Sequence, residues 1–228
     1  MPRSRHDGKQ ERADHLRYPL MKGQSNPLAS APSVAEEDQA RADFYALIAR
    51  LFYSGPDAAL LAAIAATGEA AAADAAAPLP MAWRALATAA AAMDAEAAQE
   101  EYDSVFVGTG KAEITPYITH YLHESKKENI LARLRSELTE LGLARALGVA
   151  EYEDHFSSLC EVMRHLIFFA QDVALQKQKS FFLMYLVPCY ANVCDAVTAS
   201  PNTNFYKHVA RFTKAFLDVE AESFDLAK

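Results

Sequence analysis

The sequence has few cysteines and lacks the apolar segments that direct a protein to a membrane. Its three cysteines are an odd number and include no Cys-x-x-Cys pair, so a disulfide framework is not predicted and a reducing compartment is the simplest setting. The N-terminus lacks the apolar run of about 7 to 15 residues found in secretory signals. The most apolar stretch, 181–197, contains Pro188, Asn192 and Asp195, and is too short and polar for a membrane span. We expect a cytoplasmic protein that is not integral to a membrane.

Glycine, proline and strand-like patterns are also scarce. Eight glycines and ten prolines among 228 residues exclude a collagen-like or low-complexity chain. No segment shows the alternation of a β-strand, and no fixed-period repeat indicates a solenoid. Alanine, leucine, glutamate and lysine are abundant, and a hydrophobic fraction of 51% is enough to form a core. The composition therefore predicts an all-α protein.

The charge is distributed unevenly along the chain. The formal net charge is −8, but the first 35 residues contain six basic and three acidic residues, which leaves the remainder at −11. A body this acidic repels phosphate backbones, so nucleic acid is not an expected ligand. Residues 1–32 have no apolar periodicity and are predicted to be a disordered basic leader, followed by an ordered domain over 33–224.

Apolar residues at helical spacing predict a series of helices. Ser33 and Glu36 form a capping box ahead of one apolar stripe, and Ser125 and Glu128 form another ahead of the stripe from Ile130 to Leu141. Further helices are predicted at about 57–67, 81–93, 94–107, 154–178, 179–198 with a kink at Pro188, and 203–219, with a break between Gly142 and Gly148.

Motifs that would indicate an enzyme fail on spacing. Gly108–Lys111 resembles the end of a phosphate-binding loop, but Val105 stands where the first glycine belongs and Ala112 follows the lysine. His120 and His123 lie about one helical turn apart, yet no His-Glu-x-x-His motif accompanies them. No Gly-x-Ser-x-Gly motif for a nucleophilic serine is present. The residues by themselves predict a helical protein without catalytic machinery.

One remaining group of residues is aromatic and surrounds a loop. Such residues near a proline can form an apolar groove for an extended or helical peptide. The group consists of Tyr102, Val105 and Phe106, followed by Pro116, Tyr117, Thr119, Tyr121 and Leu122. The first three also have helical spacing, so packing in the core is the alternative interpretation.

A second group is acidic and lies on the predicted connector at 150–154. It consists of Glu151, Glu153 and Asp154, followed by His155. These carboxylates suit the arginine or lysine side chains of a ligand, which they would hold through charge-assisted hydrogen bonds. The alternative is structural, with Asp154 as the N-cap of the next helix and Glu153 near its dipole.

Three motifs in this order resemble the TorD/DmsD/NarJ family of chaperones for molybdenum-cofactor enzymes, over about residues 36–224. Segment 101–106 is similar to the family's aromatic-x-x-Leu-Phe motif, and 115–122 to its Pro-aromatic-x-Ser-x-Tyr-Leu motif. Segment 151–155 is similar to its Glu-Pro-x-Asp-His hinge, although Tyr152 replaces the proline. The aromatic C-terminal part resembles the subgroup found alongside formate dehydrogenases.

This resemblance implies a compact bundle of roughly ten helices, with lobes at about 33–147 and 155–224 joined by a hinge at 148–154. It implies a non-catalytic chaperone that binds the N-terminal segment or apo form of a molybdoenzyme catalytic subunit and assists cofactor insertion. The client would be a formate dehydrogenase or a dimethyl-sulfoxide-reductase-type enzyme. No resident cofactor or metal is implied, although weak guanine-nucleotide binding is suggested for some members. The implied peptide-binding residues are Tyr102, Val105, Phe106, Pro116, Tyr117, Thr119, Tyr121, Glu151, Asp154 and His155.

Two other functions remain open at this stage. One is a small metal- or cofactor-binding helical enzyme that uses His120, His123, His155 and carboxylates. The other is a plain helical interaction protein without a peptide groove. The oligomeric state is also open, because exchange of lobes about the hinge would convert a monomer into a dimer.

Overall fold

The structure is a computed structural model. It describes residues 36–68, 76–108, 110–122, 124–144, 151–169 and 174–226. The predicted leader at 1–32, Ser33 of the first capping box, and Gly148 lie outside the described residues.

The described residues contain nine α-helices and no β-strand, which confirms the predicted all-α fold. The α-helices are α1 (Glu36–Tyr53), α2 (Ala58–Ala66), α3 (Pro78–Ala92), α4 (Ala95–Tyr102), α5 (Glu124–Glu140), α6 (Phe156–Phe169), α7 (Ala174–Phe181), α8 (Tyr190–Ala199) and α9 (Tyr206–Leu226). Asp103–Val107 and Phe182–Leu186 are π-helical turns, and Ile118–Tyr121 is a 3₁₀ turn.

The helix ends are fixed by local capping. Asp57 and Asp94 are the N-caps of α2 and α4, and their carboxylates accept hydrogen bonds from backbone N–H groups of the first turn. Helix α5 ends at Glu140 and is followed by Gly142, whose φ of 69° is favoured by glycine. There Leu143 N donates to Leu138 O at 2.8 Å, the bond of a Schellman motif. The predicted break after this helix is therefore confirmed at Gly142.

The predicted continuous helix over 154–178 is wrong. The chain forms α6 and α7 instead, and Nε2 of Gln178 in α7 donates to the carbonyl oxygen of Leu166 in α6 at 3.4 Å. Twelve residues of a straight helix would span about 18 Å, too far for one side chain to bridge. Apolar residues keep their helical spacing through both α6 and α7. Periodicity alone therefore did not show that this segment forms two helices rather than one. Helix α9 also continues to Leu226, beyond the predicted end at 219.

The predicted kink at Pro188 is confirmed. Leu175–Leu186 and Tyr190–Ala199 are inclined by 48° across the intervening break. Proline supplies no backbone N–H and clashes with the preceding turn, which explains the break. Within the described part of the chain, no single helix is long and apolar enough to cross a membrane. This bent pair meets the length and composition criteria together, as buried core helices also do.

The core is continuous across the connector. Helix α1 packs against α6 and α9, and α9 also packs against α3 and α8. The ring of Phe52 lies 5.0 Å from that of Phe156 and 5.7 Å from that of Phe106. Elements before and after the connector thus share one buried cluster. The division into lobes at 33–147 and 155–224 stays a prediction.

A partly buried ion pair joins α1 to α9. The Arg41 guanidinium donates from Nε to Oε1 of Glu220 at 2.7 Å and from Nη2 to Oε2 at 2.8 Å. The hydroxyl of Tyr45 donates to the same carboxylate, and Arg41 also donates to Oε1 of Gln178 at 3.0 Å. The guanidinium and the carboxylate thus share two hydrogen bonds, and each makes a further hydrogen bond to a neighbouring side chain. These are the conditions under which an ion pair withdrawn from water is tolerated.

Candidate functional site

The connector is held against the loop that precedes the 3₁₀ turn. Ile118 N donates to the carbonyl of Asp154 at 3.1 Å, and Phe156 N donates to the carbonyl of Pro116 at 2.7 Å. These two bonds flank an antiparallel bridge between Tyr117 and His155. The two segments that the sequence analysis treated separately therefore form one structural unit.

Asp154 anchors the 3₁₀ turn from within the protein. Its side chain is 3% exposed, and Oδ2 accepts the hydroxyl of Thr119 at 2.6 Å and, more weakly, the backbone N–H of Thr119 at 3.4 Å. The alternative reading of Asp154 as the N-cap of the next helix is wrong, because its carboxylate is directed to Thr119. The hydroxyl at position 119 is thus the donor that satisfies a buried carboxylate.

His155 takes the capping position of α6. Its carbonyl accepts the first helical hydrogen bond, from Leu159, and its Nδ1 accepts the backbone N–H of Ser157 at 3.2 Å. An accepting Nδ1 carries no proton, so the imidazole is neutral. Burial lowers the pKa of His155 to about 4, although the carboxylates of Glu151 and Asp154 act in the opposite direction.

Tyr117 lies between the buried histidine and the surface. Its ring makes an edge-on contact with His155 at 5.0 Å and another with Tyr152 at 6.3 Å. Its hydroxyl donates to Oε2 of Glu151. Burial raises the pKa of the Tyr117 hydroxyl, and its bond to the Glu151 carboxylate raises the pKa further. These contacts hold the ring and the carboxylate in fixed relative positions.

The three connector carboxylates have different partners. Glu153 forms an ion pair with Arg135 of α5 at 3.2 Å, and Asp154 is bonded to Thr119 as above. Glu151 is only partly buried, accepts the hydroxyl of Tyr117, and has no cation beside it among the described residues. Of the three, Glu151 is the carboxylate best placed to receive an external cation.

Tyr102, Val105 and Phe106 lie in the core. All three side chains are buried, and the ring of Phe106 packs against Phe52 and Tyr206. Their burial agrees with the alternative interpretation, in which the helical spacing of these residues reflects packing in the core. They lie beneath the connector rather than on the surface.

The end of α1 explains why a tyrosine stands at position 102. The last carbonyls of a helix have no partner within it. The Tyr102 hydroxyl donates to the carbonyl of Tyr53 at 2.6 Å, and the Tyr206 hydroxyl donates to that of Leu51 at 3.0 Å. Burial raises the pKa of Tyr102, and the nearby Glu151 carboxylate adds to this effect. Tyr102 therefore connects the end of α1 with the underside of the connector.

The remaining predicted residues lie on the loop itself. Pro116 is buried, and Tyr121 is half-buried in edge-on contact with His120 at 5.1 Å. Thr119 is also half-buried. The structure thus brings Pro116, Tyr117 and Thr119 together with Glu151, Asp154 and His155, whereas Tyr121 is linked to them through the 3₁₀ turn.

Two residues of the motif segments 101–106 and 151–155 have clear structural roles but were not among the predicted site residues. Tyr152 is 58% exposed, and its ring lies next to that of Tyr117. A single tyrosine in a connector forms no sequence pattern from which this location could be predicted. Glu101 accepts hydrogen bonds from the backbone N–H groups of Asn204, Phe205 and Tyr206, at 2.8, 3.0 and 2.7 Å. It caps α9 from α4, across about a hundred residues of sequence, so no local signal marked it.

The histidines do not converge on a metal site in the part of the chain described. No group of three or more His, Cys, Asp or Glu side chains there is arranged to hold a metal ion. His155 uses Nδ1 to cap α6, and His120 is exposed beside Tyr121. His123 lies outside the described residues.

These observations define an all-α protein with one core and with an acidic, aromatic surface where a connector meets a loop. A family model described as the nitrate reductase delta subunit matches residues 72–195, a segment that includes every predicted site residue. Because the match covers more than half of the chain, the protein belongs to this family of non-catalytic chaperones for molybdoenzyme maturation. The resemblance to the TorD/DmsD/NarJ family is thereby confirmed. No curated protein matches the sequence.

Proposed function

We propose that this protein binds the N-terminal segment of the apo catalytic subunit of a molybdenum-cofactor enzyme and assists cofactor insertion before export or assembly. The binding surface is the unit formed by the 3₁₀ loop and the connector. The observation that carries this proposal is the accessible Glu151 carboxylate, held in place by Tyr117 beside the exposed ring of Tyr152. A carboxylate next to aromatic surface suits a segment that contains both basic and apolar side chains.

The ten predicted residues divide into two roles within this proposal. Tyr117, Thr119, Tyr121 and Glu151 are partly accessible and would contact the client. The other six, which are buried, would set the shape of that surface from below; they are Tyr102, Val105, Phe106, Pro116, Asp154 and His155.

Formate dehydrogenase is the proposed client, with a dimethyl-sulfoxide-reductase-type enzyme as the second candidate. The aromatic C-terminal part supports this choice through its resemblance to the formate-dehydrogenase-associated subgroup. The cytoplasm is the proposed compartment, because cofactor insertion precedes export. Binding requires no resident cofactor, and guanine-nucleotide binding stays a prediction to be tested by titration of the purified chain with GTP.

Coexpression tests the proposal directly. The full chain is expressed with each apo catalytic subunit, complexes are isolated by tag, and molybdenum in the mature enzyme is measured with and without the chain. We expect a complex with one of the two subunits and a lower molybdenum content when the chain is absent. No complex and an unchanged molybdenum content for both enzymes would contradict the proposed function.

The proposed surface is tested separately by calorimetry with the N-terminal peptide of the bound client. Glu151→Gln removes the accessible charge and is expected to weaken peptide binding. Glu153→Gln is the matched control, since it removes a connector carboxylate that Arg135 already occupies. Equal affinities for wild type and Glu151→Gln would place the peptide elsewhere on the protein.

A further inference from the structure

The outward face of α9 carries its charges in two blocks. Helix α9 packs on α1, α3 and α8 through its apolar side, and the opposite side is exposed or half-buried. The charged residues on this outward face are basic in the N-terminal half and acidic in the C-terminal half: Lys207, Arg211 and Lys214, then Asp218, Glu222 and Asp225. At about 3.6 residues per turn, the six positions fall within a sector of about 80°.

The stability of the helix itself does not explain this pattern. A helix dipole favours anions near the N-terminus and cations near the C-terminus, whereas α9 has no acidic residue in its first turn and no basic residue in its last. Lys207 and Arg211 are like charges four residues apart, and Glu222 and Asp225 are like charges three residues apart. Such pairs repel each other on a helix surface. Both effects weaken α9, so the pattern points to an interaction outside the helix.

Internal pairing is confined to the middle of the outward face. There Nζ of Lys214 lies 3.2 Å from Oδ2 of Asp218, and the side chain of Val219 is 42% exposed beside them. Neither the two outer cations nor the two outer anions form an ion pair with another residue in the described part of the chain. The outward face therefore has a positive end, a neutral middle with some apolar surface, and a negative end.

A second copy of this face has the complementary distribution. A uniformly acidic or basic partner would match one end and be repelled by the other. When two copies of α9 lie antiparallel about a two-fold axis, each positive end meets the negative end of the other copy. Lys207 and Asp225 have their midpoint at position 216, and so, within half a residue, do Arg211 and Glu222. One axis therefore forms both kinds of pair at once, each of them twice.

We infer that the outward face of α9 is a self-association surface, on which a second copy of this chain docks its own α9 in the antiparallel direction. Contact between two 21-residue helices falls at the low end of specific interface sizes. The dimer is therefore weak, depends on protein concentration, and dissociates when salt screens the outer charge pairs. This inference goes beyond the proposed function, because the outward face shares no residue with the connector surface.

Charge exchange across the axis tests the inference. The mass of the full chain is measured by sedimentation equilibrium over a wide range of concentration, in about 0.05 M and about 0.5 M sodium chloride. We expect a dimer that weakens in high salt. Arg211→Glu and Glu222→Arg should each weaken dimerisation by about tenfold or more, because each places two like-charged pairs across the axis. Glu100→Arg, an exposed reversal on α4, is the matched control and should not change it.

Recombining the two reversals identifies the geometry. An equimolar mixture of the Arg211→Glu and Glu222→Arg proteins should form a heterodimer, since both contacts are again between opposite charges. The double variant should regain the homodimer. These gains also show that the variants are folded, and Lys207→Glu with Asp225→Lys repeats the test on the outer pair.

Three results would overturn the inference. A chain that stays monomeric at every concentration has no self-association surface. A dimer that persists in both single variants has its interface elsewhere, as in an exchange of lobes. Single variants that lose the dimer but do not recombine would show that the two ends of α9 do not meet across a two-fold axis. None of these results bears on client binding at the connector, which is measured separately.

Discussion

At the scale of single residues, His155 shows how burial changes the role of a titratable group. The sequence places it in an acidic cluster, where a charged imidazole would be expected. In the structure it is 3% exposed, and its Nδ1 is committed to the Ser157 N–H. The desolvation cost of the cation exceeds the attraction of the nearby carboxylates, so the neutral form is favoured.

This balance predicts a pH dependence of folding. The pKa of His155 is about 4 in the folded protein and about 6.5 in the unfolded chain, so the unfolded state binds a proton first as pH falls. The contribution of neutral His155 to the free energy of unfolding is therefore complete above pH ~6.5. This contribution is lost as pH falls towards 4, by about 3 kcal/mol in total.

Urea denaturation between these pH values measures the effect. His155→Asn keeps a capping side chain but cannot be protonated, and it is expected to show a smaller decline in the free energy of unfolding. His165 and His208 also have pKa values lowered by burial, and they contribute equally to both proteins. Parallel pH profiles for the two proteins would refute the assignment to His155.

Gly108 is a second residue whose identity the backbone determines. Its φ is 64°, and a Cβ placed there would lie 2.7 Å from the carbonyl carbon of Lys111. Gly110 has a φ of 117° but no atom within 4 Å of such a Cβ. Gly108 therefore has both a conformational and a steric reason to be glycine.

Alanine substitutions at these two positions separate the reasons. Gly110→Ala should lower the free energy of unfolding by about 1–2 kcal/mol through its positive φ. Gly108→Ala should lower it by a further ~1–3 kcal/mol, because the backbone around Lys111 must shift. Thermal or urea unfolding of both variants provides the comparison, and equal losses would show that the contact with Lys111 relaxes freely.

At the scale of elements, helix ends are stabilised by partners both near and far in sequence. Asp57 and Asp94 are local caps within one turn of the helices that they begin. Glu101, in contrast, lies on a different helix and accepts the backbone N–H groups of Asn204, Phe205 and Tyr206, where α9 begins. Such a contact both caps α9 and fixes where α4 lies against it.

Glu101→Ala is expected to destabilise the protein by about 2 kcal/mol, at the upper end of the range for a lost cap. The matched control is Glu100→Ala, an exposed neighbour on the same helix, with an expected change of less than about 0.5 kcal/mol. Urea unfolding followed by circular dichroism measures both changes. Similar small changes for the two variants would mean that water or other groups satisfy the α9 N-terminus.

At the scale of the whole molecule, one core joins the segments before and after the connector. Phe52 of α1 contacts rings from both sides of it, and Trp83 of α3 packs 5.0 Å from Phe212 of α9. Exchange of lobes between two copies would have to separate α1 from α6 and re-form the same contacts between chains. Light scattering of the purified protein distinguishes the monomer from a lobe-swapped dimer.

The continuous core predicts a single cooperative unfolding transition. Fluorescence of the sole tryptophan, Trp83, reports packing of α1, α3 and α9, whereas circular dichroism reports total helix. The two signals should change at the same urea concentration. Phe52→Ala should shift both together, with a loss of about 3–5 kcal/mol. Two separate transitions would indicate lobes that fold independently.

The sequence by itself determined the helical class, most helix positions and the kink at Pro188. These follow from interactions between residues close in the chain, namely apolar periodicity, capping side chains and the missing N–H of proline. It also identified the family, through motifs that keep their order and spacing. It did not determine where α6 ends, because an apolar stripe continues whether the helix runs straight or turns back.

Only the tertiary structure decided which residues of the candidate site are accessible. Tyr102 and Phe106 proved to be core, Asp154 and His155 became buried supports, and Glu151 with Tyr152 remained at the surface. The physical reason is that burial and pairing depend on segments far apart in sequence, such as Thr119 for Asp154 and Arg135 for Glu153. Residue type shows what a side chain is able to bind, whereas its neighbours in space decide whether that capacity is already used.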